Sequence, residues 1–100
     1  MEEKKYKILI VDDEPDNLAL LYRTLRGKYD ITKATSAVEA LEILKNQSFN
    51  CILSDHKMPQ MDGVEFLRRT YEVCHNTTRL LVTAYSVVKI LINAITYAKI

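Results

Sequence analysis

The chain has 100 residues, which sets a ceiling of one domain, spanning residues 1–100. With 48% hydrophobic and 27% charged residues, and only Gly 2 and Pro 2, the composition excludes a disordered, collagen-like or low-complexity protein. Lys+Arg 14 against Asp+Glu 13 leaves a net charge of +1, so no basic surplus exists to hold a nucleic-acid backbone or a membrane surface.

The residues just after the charged start Met1-Glu2-Glu3-Lys4-Lys5 are too short an apolar run for a secretory signal. Lys7-Ile8-Leu9-Ile10-Val11 is continuous and β-branched, as in a strand buried on both faces. Asp12-Asp13-Glu14 follows, and Pro15 fits a first helical turn, where its missing N–H does no harm. Leu18, Leu21, Tyr22 and Leu25 recur at helical spacing, with Gly27 as the stop. Asp30-Ile31-Thr32-Lys33-Ala34 alternates polar and apolar residues and predicts an edge strand. Ser36 with Glu39 three residues on predicts a capping box, and Val38, Leu41, Ile43 and Leu44 carry the second helix.

A third strand reads as Asn50-Cys51-Ile52-Leu53-Ser54, ending at Asp55. The loop His56-Lys57-Met58-Pro59-Gln60-Met61 leads through Asp62-Gly63 to a helix carrying Val64, Phe66, Leu67 and Tyr71. Arg79-Leu80-Leu81-Val82-Thr83 is a fourth strand, and Ser86 caps a fourth helix that runs to about Ala98. Residues 80–100 are apolar, but Ser86, Lys89, Asn93 and Lys99 interrupt them, so a buried strand and an apolar helix fit better than a membrane span. Cys51 and Cys74 lack zinc-ligand spacing and read as reduced thiols.

Strands alternating with helices call for right-handed crossovers and a parallel sheet covered on both faces, with ligands at the carboxyl ends of the strands. The residues there are Asp12, Asp13, Asp55 and Thr83. Adjacent strands lie about 4.8 Å apart, so carboxylates on neighbouring strands crowd one pocket. Like charges this close raise one another's pKa unless a cation relieves them. A donor set of oxygens alone selects Mg²⁺, or Mn²⁺, over zinc. A carboxylate is itself a nucleophile toward phosphorus, and Asp55 stands alone on its strand while Asp12 and Asp13 are free to hold metal. Thr83 supplies a hydroxyl donor to a phosphoryl oxygen.

Three blocks, Ile8-Leu9-Ile10-Val11-Asp12-Asp13-Glu14-Pro15, Leu53-Ser54-Asp55-His56-Lys57-Met58-Pro59-Gln60-Met61-Asp62-Gly63 and Leu80-Leu81-Val82-Thr83-Ala84-Tyr85, resemble the receiver domains of two-component response regulators, the chemotaxis regulators among them. The resemblance extends over essentially all of the sequence. It implies an α/β, flavodoxin-like doubly wound parallel sheet of order 2-1-3-4(-5). It implies that Asp55 takes a phosphoryl group from the phosphohistidine of a sensor histidine kinase. Asp13 and Asp55 would bind Mg²⁺ directly, Asp12 through water, and the backbone carbonyl oxygen of Lys57 would complete the ligands. Thr83 and the backbone N–H of Ala84 would bind the phosphoryl group and drive the switch. Lys57 and Tyr85 would tune the lifetime of the acyl phosphate, and Pro59 and Gly63 would shape the loop, glycine through its tolerance of unusual φ. A cytoplasmic location is expected, in keeping with two cysteines read as reduced cytosolic thiols.

The pattern departs from the family after the fourth helix. The family continues into a fifth strand ending in Lys-Pro and a fifth helix, and this sequence reads as truncated before them; Lys99 does not take the lysine's role. The expectations are phosphorylation that is weak or absent without that lysine, and a homodimer or segment swap through the fourth strand's edge or the fourth helix.

Plainer readings stand beside these. Asp12 and Asp13 also suit a helix cap, Thr83 an ordinary strand end, His56 a loop and His75 a helix end. The Val87, Val88, Leu91, Ile92 and Ile95 cluster suits core packing or an interface. Two other functions compete: a binding or dimerisation module that works without phosphorylation, and a Mg²⁺-dependent phosphatase of the haloacid-dehalogenase type. The phosphatase needs a second Asp where Lys57 stands.

Overall fold

The computed structural model describes residues 5–74 and 76–82. Seven elements follow in sequence: β1 (Lys7–Val11), α1 (Pro15–Leu25), β2 (Asp30–Ala34), α2 (Ala37–Asn46), β3 (Cys51–Asp55), α3 (Gly63–Val73) and β4 (Thr78–Val82). The strands form one sheet of order β2-β1-β3-β4, and every neighbouring pair is parallel. This is the flavodoxin-like doubly wound arrangement that the sequence implies. β2 is an edge strand, as its polar alternation predicts. Thr83, Ala84, Tyr85, His75 and the helix expected over residues 86–98 lie outside the described residues.

The continuous apolar run of β1 has a simple cause. Successive residues point to opposite faces of the sheet, and both faces are covered. Ile8 and Ile10 pack with Leu18, Leu21 and Leu25 of α1 on one side. Leu9 and Val11 pack with Ala37, Ala40 and Leu44 of α2 and Phe66 of α3 on the other. Burying one such aliphatic group stabilises the fold by about 1.5–3 kcal/mol. Among the described residues, no helix is long and apolar enough to cross a membrane.

Three helix positions differ from the pattern reading. Val38, Val64 and Tyr71 are exposed. α2 buries Ala37, Ala40 and Leu44, and α3 buries Gly63, Phe66 and Thr70. The arc of each helix that meets the sheet carries these small and large residues, and Val38, Val64 and Tyr71 fall outside it. Ser36 does cap α2, accepting a hydrogen bond from the Glu39 N–H at 3.1 Å. The reciprocal bond of the box moves one residue back: Glu39 Oε1 accepts from the Thr35 N–H at 2.7 Å. α1 ends at Leu25 with Arg26 closing its last turn, and Gly27 does not adopt positive φ.

Asn50 precedes β3 rather than belonging to it. Its Oδ1 accepts from the Lys7 N–H at 2.8 Å. Its own N–H donates to the Lys7 carbonyl at 2.8 Å, and its carbonyl accepts from the Thr78 N–H at 3.0 Å. One residue thus ties the starts of β1 and β4. β4 begins one residue earlier than predicted, at Thr78. Arg79 on β4 holds the end of α3: Nε donates to Thr70 Oγ1 at 2.7 Å, Nη1 to the Thr77 carbonyl at 2.6 Å, and Nη2 to the carbonyls of Thr70 and Cys74. A guanidinium satisfies carbonyls that a helix terminus leaves unpaired. Both cysteines are free. Burial pushes the Cys51 thiol up to about 12, so it stays protonated as a core residue.

Candidate phosphoacceptor and metal site

Parallel strands deliver their carboxyl ends to one side of a sheet. Val11 of β1 pairs with Ser54 of β3, so the residues that follow, Asp12 and Asp55, meet at that side. Asp12, Asp13 and Asp55 each offer a carboxylate oxygen, and these oxygens lie within 4.8 Å of one another. Asp12 is buried, whereas Asp13 and Asp55 are half-buried.

Each carboxylate is held locally. Asp12 Oδ1 accepts from the Glu14 N–H at 2.9 Å, and the Asn17 amide also bonds it. The helix cap considered for Asp12 and Asp13 is not formed, since Glu14 is the N-cap of α1 and carries no side-chain cap bond; the bond from its N–H instead orients the Asp12 carboxylate within the cluster. Asp55 Oδ1 accepts from the His56 N–H at 2.9 Å, which also donates to the Val82 carbonyl at 3.2 Å. Burial raises the Asp12 pKa above the ordinary carboxylate range, against the opposing bonds from Glu14 and Asn17. Burial raises that of Asp55 too, with the Asp12 charge as the next cause. The crowding expected from sequence is therefore present.

Gly63 sets the loop that closes the site. Its N–H donates to the His56 carbonyl at 2.9 Å. A Cβ built there would stand 2.1 Å from the Asp55 carbonyl oxygen and 2.6 Å from Leu81 Cδ1. The expected reason for glycine was tolerance of unusual φ; no described glycine has positive φ, and the need here is close approach. The left-handed position falls instead on Gln60, at φ 71°. Asp62 caps α3, with Oδ1 accepting from the Glu65 N–H at 2.9 Å.

The three carboxylates fit a hard divalent cation. The donors are oxygens without His or Cys, all within 4.8 Å of one another, and after burial the Asp12 charge is the next cause that raises the Asp55 pKa. Lys57 is exposed two residues after Asp55. Of the other expected site residues, Thr83, Ala84 and Tyr85 lie outside the described residues. Sequence reasoning passed over Asn17 and treated His56 as a loop residue. His56 Nδ1 is buried without a partner among the described residues. Asn17 carried one usable signal, a short amide in the first turn after the Asp pair.

The sequence model of the response regulator receiver domain matches residues 8–98, and the chain belongs to that family. The hydrogenase transcriptional regulatory protein HoxA of Cupriavidus necator is 35% identical over 86 residues, which are 86% of this chain and 18% of that protein. The sensor protein EvgS of Escherichia coli K12 is 41% identical over 70 residues, 69% of this chain and 6% of that protein. The chain thus spans less than a quarter of the length of these curated relatives. Among solved structures, the chemotaxis response regulator CheY4 of Vibrio cholerae superposes with a TM-score of 0.76 at 30% identity, covering 86% of this chain and 75% of that one. Receiver domains are signalling domains of two-component systems.

Proposed function

We propose that this protein is a phosphoacceptor switch. An Asp55 carboxylate oxygen attacks the phosphorus of a sensor histidine kinase's phosphohistidine. The new P–O bond forms as the P–N bond breaks, and the imidazole nitrogen leaves with its electron pair. The observation that carries this reading is the convergence of Asp12, Asp13 and Asp55.

Asp13, Asp55 and the Lys57 carbonyl would hold Mg²⁺, with Asp12 acting through water. The bound cation would neutralise charge on the phosphoryl oxygens. The protein's own residues do the rest. The His56 N–H fixes one Asp55 oxygen, and the Glu14 N–H fixes Asp12. Thr83 and the Ala84 N–H receive the phosphoryl group and carry the switch, and Lys57 and Tyr85 tune its lifetime. The switch would work in the cytoplasm and catalyse at most its own phosphorylation and dephosphorylation.

Labelling by acetyl phosphate with Mg²⁺ tests the reading. Asp55→Asn should lose all label and Asp13→Asn most of it; label retained in Asp55→Asn would end the proposal. A second reading, pairing of two copies along β4, is favoured by the place of β4 at the end of the sheet among the described residues. Light scattering at micromolar concentration that finds only monomer would remove it.

A further inference from the structure

The far end of the sheet holds a second concave site. A cleft of about 1290 Å³ opens at the amino ends of β1, β2 and β3, beside the last turn of α1. Ordinary small-molecule sites occupy roughly 300–1,000 Å³, so this open cleft has room for a ligand much larger than a single ion. It is built from four separate stretches of sequence.

Its lining is basic and aromatic. Among the described residues, Lys5, Lys7 and Arg26 border it, against one carboxylate, Asp30. No ion pair among the described residues engages those three cations, whereas Lys45, Arg68 and Arg69 are each paired with a glutamate. Two of them stand over rings instead. Lys7 Nζ lies 5.2 Å from the centroid of Phe49, and the Arg26 guanidinium 6.0 Å from that of Tyr22. Lys33, outside the lining, stands 4.6 Å from the same Tyr22 ring. A ring face attracts a cation without neutralising it, so the cleft keeps a positive field. Tyr6, 45% exposed, also lines the cleft and supplies an aromatic ring there.

A ligand that answers both features carries several negative charges and a flat ring. We propose that the cleft binds a nucleoside polyphosphate, with Lys5, Lys7 and Arg26 on the phosphates and Tyr6 against the base. A long nucleic-acid strand fits less well, because the protein's net charge is only +1 and acidic groups crowd the other end of the strands. The cleft lies one strand length, about 16 Å, from the acidic cluster, so this inference stands apart from the phosphoacceptor reading.

The test is a calorimetric titration of the whole protein with ATP in EDTA, which keeps metal-bridged phosphates off Asp12, Asp13 and Asp55. The expected result is saturable 1:1 binding with a Kd below about 1 mM, and at least about tenfold weaker binding of adenosine or tripolyphosphate. Lys7→Glu with Arg26→Glu should weaken ATP by about tenfold or more, whereas Lys45→Glu on α2 should not. Tyr6→Ala, at an exposed position, should weaken ATP but leave tripolyphosphate unchanged, and it serves where the double variant fails to fold. Absence of ATP binding, equal affinity for tripolyphosphate, or affinity that climbs with the length of an oligonucleotide would each overturn the proposal.

Discussion

At the carboxyl ends of β1 and β3 three carboxylates stand within 4.8 Å of one another, while at the amino ends of the same strands Lys5, Lys7 and Arg26 border a cleft. A net charge of +1 conceals this separation. The two ends are also built differently. The acidic end is set by backbone: a strand terminus, a helix entry and a loop pressed against Gly63. The basic end is also tied by backbone bonds through Asn50, but its cleft is lined by side chains, with long cations laid over rings. Close backbone packing leaves little room for substitution, whereas a rim of flexible side chains adapts.

Substitutions at the two ends should therefore differ in cost. The largest effect is expected at Gly63. Gly63→Ala forces a methyl into the Asp55 carbonyl and should lower stability by about 3 kcal/mol, read from the denaturant midpoint. A cost near that of an ordinary surface alanine would break the contrast.

Next comes the cation. Mg²⁺ at one hundred times its Kd should stabilise the folded protein by about 2.7 kcal/mol. Asp13→Asn should remove most of that gain, as thermal unfolding with and without chelator would reveal.

The same cluster sets a pH profile. Asp12 and Asp55 are held above the ordinary Asp value by burial first. Such acids bind more protons folded than unfolded. In chelator, their contribution to stability is full below about pH 3.9 and is lost as pH rises through their raised folded values. Asp12→Asn should flatten that decline, and a profile rising over the same window would contradict the assignment.

The smallest effect is expected at the amino end. Asn50→Ala deprives the Lys7 N–H of its acceptor at an exposed position and should cost about 1 kcal/mol. A loss as large as that at Gly63 would show that this end is backbone-locked too.

Periodicity and local chemistry were enough for much of the fold. The unbroken run Ile8 to Val11 announced a strand covered on both faces, the Asp30 strand announced an edge, and Ser36 announced a helix start. The outward turn of Val38, Val64 and Tyr71 was not legible, because apolar spacing does not say which arc of a helix meets the sheet. The acidic residues were legible as strand ends, and the order of the strands made them neighbours.

Sequence alone determined the β–α rhythm over the described residues, the acidic residues at the ends of β1 and β3 and the family blocks that contain them, since each depends on contacts within a few residues. Tertiary structure alone decided that Gly63 must lack a Cβ, because a carbonyl lies where that atom would be. It also decided that cations and rings from four stretches of sequence share one cleft. Those facts depend on distances between segments far apart along the polypeptide, which packing sets and local pattern does not encode.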